Sequence, residues 1–155
     1  MSEKVGNIGF SLEKITSEHF TIAEDAYRTE KRTKMQIDFE YGANYQSHTV
    51  SVYLDVRFLQ DTISFLILKT GCHFTLSESA RAAFLSDDND RLILPREFIR
   101  HLLMLSIGTA RGVLHAKTEQ TELNHILLPA IDVNEIIDGD VILSFVDKPG
   151  QDPEL

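Results

Sequence analysis

Catalysis needs nucleophiles, bases or metal ligands within reach of one another, and this chain offers few such groupings. Cys72 and His73 are neighbours, the pairing that an activated thiolate would need. They fall in a strand-like run, where consecutive side chains point to opposite faces, so Cys72 reads as a structural core cysteine. The six histidines are His19, His48, His73, His101, His115 and His125. Of these, His101 and His115 share a helical stretch, but a rise of 1.5 Å per residue sets them about 20 Å apart, too far to hold one metal. Asp38, Glu40 and Asp55 sit at alternate positions of strand-like runs and read as solvated faces rather than a carboxylate pair. The chain has no HExxH, CxxC or GxSxG, and its glycines are too scattered for a phosphate loop. The expectation is a protein with no catalytic residue, no metal and no cofactor, and thus not an enzyme. The aromatic set Phe39, Tyr41, Tyr53, Phe58, Phe65 and Phe74 is the other informative group. Phe39 and Phe58 read as core, and the remainder are divided between core and an exposed groove.

Composition narrows the classes further. The 155 residues fit one core. A net charge of −9 lacks the basic footprint that nucleic-acid binding requires. No apolar run approaches the length of a membrane span, and the start MSEKVGNIGF lacks a basic region followed by an apolar one. A single cysteine permits no internal disulfide, which fits a cytoplasmic setting.

The elements follow from periodicity. Phe10 to Ile22 is extended, with a break at Thr16–Glu18. Thr33–Tyr45 alternates, with Met35, Ile37, Phe39 and Tyr41 on one side. After a turn at Gly42–Ser47, His48–Leu59 alternates again, and Gln60-Asp61 connects it to Ile63–Leu76 as a hairpin. This last run is apolar on both sides, which predicts cover on both faces of the sheet. A second subunit, a client or the segment Ile126–Ile131 could supply the far cover. Ser77 caps a short helix, and Leu94–Lys117 is a long one entered at Pro95. Its apolar surface is too wide for one partner layer, and Gly108 and Gly112 share a face where another backbone could approach. Lys117–His125 is polar, Val133–Ile137 fits a short helix, and Val141–Val146 fits either a late strand or the end of that helix. Strands followed by a long helix define an α+β fold built on an antiparallel meander, a domain over residues 1–147 with a disordered polar tail at 148–155.

Five pieces, in order, resemble the SecB family of protein-export chaperones. They are FSLEKITSEHFTIAED (Phe10–Asp25), MQIDFEYGANYQSHTVSVYLDVRF (Met35–Phe58), SFLILKTGCHFTL (Ser64–Leu76), LPREFI (Leu94–Ile99) and LLPAIDV (Leu127–Val133). The resemblance runs from about Ile8 to Ile137, with extra length around Ala110–Leu123 and Val133 where the family carries an aromatic. It implies a four-stranded antiparallel sheet with a long helix and a shorter C-terminal helix. It also implies a homotetramer, a dimer of dimers, that holds unfolded polypeptide in apolar grooves without ATP, for export or for a dedicated client such as an antitoxin. Expected groove residues are Tyr41, Tyr53, Phe65, Leu66, Leu68, Leu128 and Ile131. Expected subunit contacts are Leu103, Ile107, Gly108, Ala110 and Gly112. Exporting members dock the translocase motor SecA through acids on the sheet. Here His19, Ala23 and Leu68 occupy those positions, and Glu18 and Glu24 flank two of them as the candidate docking acids. A small-molecule-binding α+β domain and an oligomeric scaffold subunit are the alternatives.

Overall fold

Alternating sequence becomes four long strands in the computed structural model, which describes residues 9–147. They are β1 (Phe10–Ile22), β2 (Lys34–Asn44), β3 (Thr49–Gln60) and β4 (Ile63–Leu76). The sheet is antiparallel in the order β1-β4-β3-β2. Thus β2, β3 and β4 form the meander, and β1 docks beside β4, leaving β1 and β2 as the edges. His48 and Asp61 take φ near 59° in the two hairpin turns. The crossing from β1 to β2 passes through a 3-10 turn, Glu24–Ala26, and is tied down by the buried Gln60. Its carbonyl accepts from the Arg28 amide at 2.9 Å, and its amide donates to the Arg28 carbonyl at 2.8 Å.

The break expected in β1 is a bulge. Glu18 is the extra residue between the pairs Ser17–Thr70 and His19–Lys69, so the strand continues to Ile22. A second bulge corrects the two-faced reading of β4. Phe65 is the extra residue between the pairs Phe58–Leu66 and Leu59–Ser64. Phe65 and Leu66 are therefore both fully buried, although they are neighbours in sequence. Beyond the bulge only one face of β4 is apolar, and the other carries Ile67, Lys69 and His73.

Ser77 caps α1 (Glu78–Phe84), its hydroxyl accepting from the Ala80 amide at 3.1 Å. A short strand β5 (Arg91–Leu94) then precedes α2 (Arg96–Lys117), so Leu94 ends a strand and Pro95 caps the helix. A 3-10 turn at Val133–Glu135 stands where a short helix is expected, and Val141–Ser144 is strand β6, paired with β5. The core lies between α2 and the inner face of the sheet. Ile99, Leu102, Leu103, Ile107, Ala110 and Leu114 of the helix meet Val52, Leu54, Leu66, Leu68 and Phe74 of the strands, all buried. Each large side chain there is worth roughly 1.5–3 kcal/mol of transfer free energy. The loop after α2 continues the layer through Leu123, Ile126 and Leu128, and is held to the helix by Arg111, which donates to the carbonyls of Leu128 and Pro129 at 2.8 Å. No helix among the described residues is long and apolar enough to cross a membrane.

Candidate polypeptide-binding edge

Strand β2 is an edge, and its backbone determines what can approach it. The Val146 amide donates to the Ala43 carbonyl at 3.1 Å, which fixes Ala43 as a residue whose N–H and C=O point away from β3. In a strand those groups alternate sides from one residue to the next. Met35, Ile37, Phe39 and Tyr41 therefore aim their N–H and C=O groups at the free edge, and Gln36, Asp38, Glu40 and Gly42 aim theirs at β3. Among the described residues no backbone hydrogen bond engages that free row. Such a row is a template for another strand. It stops at Ala43, where Phe145 and Val146 already lie parallel to β2, and the Asp147 carboxylate accepts from the amides of Tyr45 at 2.6 Å and Gln46 at 3.2 Å. Asp147, the last residue of the expected domain, thus caps the end of the row.

Two cavities flank this edge. One of about 360 Å³ separates Ile37, Phe39 and Tyr41 from Ile136 and Val141. Those three β2 residues pair with Val56, Leu54 and Val52, so they belong to the inner, apolar face. Burial pushes the Tyr41 phenol above its ordinary pKa, so it stays a neutral hydrogen-bonding group. The second cavity, about 640 Å³, extends over Gly42, Asn44, Thr49, Ser51, Tyr53 and His73, residues toward the outer face. There the Tyr53 ring leans over Gly71, and the His73 imidazole is held between the hydroxyls of Ser51 at 2.7 Å and Thr16 at 3.0 Å. Burial lowers the His73 pKa, and Lys14 lowers it further, against the opposing pull of Glu18. Lys69 lies 5.7 Å from the Tyr53 ring centroid and bonds Glu40 at 3.3 Å. Among the described residues no carboxylate is hydrogen-bonded to His73. No three His, Cys, Asp or Glu side chains among the described residues form a metal-binding group.

The expected groove residues separate. Tyr41 and Tyr53 border the cavities at the edge. Ile131 is half-buried in the loop after α2. Phe65, Leu66, Leu68 and Leu128 are buried in this chain's own core, because the β4 bulge and the packing of the loop against α2 turn them inward. Sequence reasoning missed Ile37, Gly42, Ile136 and Val141. The sequence starts a turn at Gly42, whereas β2 runs through it to Asn44, so this glycine lies inside a strand. The rest depend on which strand ends at the edge.

The expected subunit contacts separate too. Leu103, Ile107 and Ala110 are buried under α2, whereas Gly108 and Gly112 face outward, with nothing within 4 Å of a Cβ built on either. Beside them Met104 is 58% exposed and Leu105 40%. The helix runs along β1, since Phe98 and His101 meet Phe10 and Lys117 lies over Phe20. Leu12 and Ile15, 41% and 49% exposed on that strand, extend the same apolar stripe. Glu18 is exposed at the β1 bulge, and the Glu24 carboxylate accepts from the Glu122 amide at 3.0 Å.

The described residues thus set an exposed strand edge between two cavities in an α+β fold. No family profile and no curated protein sequence matches the chain. Among solved structures it is similar to the SecB-like chaperone Rv1957 of Mycobacterium tuberculosis, in complex with a ChAD peptide from the Rv1956 HigA1 antitoxin. The overlap has 12% identity and a TM-score of 0.46, covering 79% of this chain and 91% of that one. So loose an overlap assigns no function, and the geometry of the edge must carry the reading.

Proposed function

We propose that this protein is an ATP-independent holdase that binds extended polypeptide by strand addition to β2. The observation that supports it is the unengaged backbone row of Met35, Ile37, Phe39 and Tyr41, lying against a cavity that Ile37, Phe39, Ile136 and Val141 wall and Asp38, Asp138 and Asp140 rim. A client strand on this edge gains main-chain hydrogen bonds, and its inward side chains gain burial against Ile37, Phe39 and Ile136. No nucleotide or metal is needed for either term. The client is an unfolded or precursor polypeptide, one bound for export or a dedicated partner such as an antitoxin, and the setting is cytoplasmic.

A proline tests the mode directly. Ile37→Pro removes an N–H that only a client would use, and proline is tolerated on the open side of an edge strand. Asp38→Pro removes an N–H that bonds β3 and serves as the structural control. The expected result is a folded Ile37→Pro protein that no longer suppresses aggregation of a denatured reference protein, beside a destabilised Asp38→Pro. Full suppression by folded Ile37→Pro would sink the strand-addition reading.

The same proposal includes assembly as a homotetramer, with the stripe of Leu12, Ile15, Met104, Leu105, Gly108 and Gly112 as the contact between copies. It places motor docking, if the client is an exported one, at Glu18 and Glu24 on the far end of β1.

A further inference from the structure

Gly42 has no evident structural reason to be glycine. It lies inside β2, its φ is not in the left-handed region, and a Cβ built on it would meet nothing within 4 Å. Glycine weakens a strand interior, so the fold alone gives no account of it. Its effect is to leave open the cavity of about 640 Å³ on the outer face. The floor of that niche is fixed in place. Ser51 pairs with Gly42 across the strands and is hydrogen-bonded to His73, which is itself held by Thr16. Tyr53 leans the other way, toward Gly71, where a Cβ would come within 2.9 Å of its ring. That leaves one wall aromatic, and Val146, 77% exposed, supplies apolar surface at the rim.

A strand paired with β2 turns successive side chains to opposite faces. If one residue enters the inner cavity by Phe39, the next is carried to the outer face beside Glu40, one step along that face from Gly42. We infer that this edge reads both faces of its client, taking an apolar side chain inward and, one residue away, an aromatic side chain with a polar edge, such as tyrosine, in the niche over Gly42. The Tyr53 ring and Val146 provide its apolar contacts, and Asn44 and Thr49, linked through the Ser47 hydroxyl, form the polar end of the niche, where the Asn44 amide N–H group is the donor not used by Ser47. A basic side chain fits less well, because the acid at the niche, Glu40, is already paired with Lys69 at 3.3 Å. The edge thus selects a defined alternation rather than any unfolded chain.

The inference rests on strand addition, and the test keeps the two apart. The probes are fluorescent peptides of about twelve residues with leucine and threonine alternating between lysine ends. In one of them a central threonine is replaced by tyrosine. By anisotropy, wild-type protein should bind the tyrosine peptide about tenfold more tightly than its parent. Gly42→Val, which fills the niche with a strand-favouring side chain, should erase that increment and leave parent binding within about twofold. Equal binding of the two peptides by wild type, or an equal loss of both in Gly42→Val at unchanged melting temperature, overturns the niche. Loss of both peptides in folded Ile37→Pro supports strand addition independently of it. If wild type binds neither peptide, both readings fall.

Discussion

At the scale of the residue, the outer face of the sheet is held by a few interlocked side chains. Gly71 is required there, since a Cβ would lie 2.6 Å from the Thr16 hydroxyl and 2.9 Å from the Tyr53 ring. Gly71→Ala must displace one of them and loosen the Thr16–His73 bond. Overpacking of this kind costs about 1–3 kcal/mol, which denaturant melts would register as a lower midpoint. His73 gives a pH signature. Burial depresses its pKa below the ordinary 6.5, so the unfolded chain takes up a proton before the native one does. Stability from this residue is complete above about pH 6.5 and falls as the pH drops below it toward the native value. His73→Gln should flatten that part of the melting temperature profile. An unchanged slope between pH 7 and 5 would remove His73 as the cause.

At the scale of the element, helix α2 carries a buried side and an exposed one. Its buried side is saturated by the sheet, so the exposed glycines contribute nothing to the chain's own core. In a solvated helix each glycine costs about 1 kcal/mol relative to alanine. Gly108→Ala with Gly112→Ala should therefore raise the unfolding free energy of the dissociated chain by up to about 2 kcal/mol. If copies pack closely at these positions, the same change weakens association. Denaturant melts of the double variant read the first effect, and equilibrium sedimentation across concentrations reads the second. A gain in stability with unaltered association would move the contact elsewhere on the stripe. Strand β4 makes a related point. Leu66 and Leu68 were natural choices for a binding surface while the strand read as apolar on both faces, but one bulge at Phe65 returns them to the core.

At the scale of the whole molecule, the two sheet edges are treated differently. The β2 edge is bare over four outward-facing residues, and the β1 edge is interrupted by bulges at Glu13 and Glu18. Bulges twist an edge away from indiscriminate pairing. Exposed apolar side chains also lie on β1 and α2, and on β5 and β6 at the paired Ile93 and Ile142. If copies associate through the stripe on β1 and α2, a charge placed there with Met104→Lys should dissociate them by native mass measurement and leave the monomer's fold intact, because Met104 is mostly exposed. An assembly unaffected by that charge would exclude the stripe as its contact.

The sequence by itself determined what local chemistry can determine. Alternation of apolar and polar residues defined β2 and β3, a serine three residues ahead of Ala80 capped α1, and Pro95 marked the start of α2. The scarcity of grouped nucleophiles and ligands was also visible there. Only tertiary structure decided which strands became edges, because strand order depends on the docking of β1 against β4 across most of the sheet. Burial at Phe65 and Leu66 depended on one unpaired residue in a ladder, which periodicity does not register. The free row on β2 and the opening over Gly42 exist because neighbours end where they do: Val146 pairs at Ala43 and no farther, and Tyr53 leans to Gly71. Such features arise from residues far apart in the chain, so no local pattern encodes them.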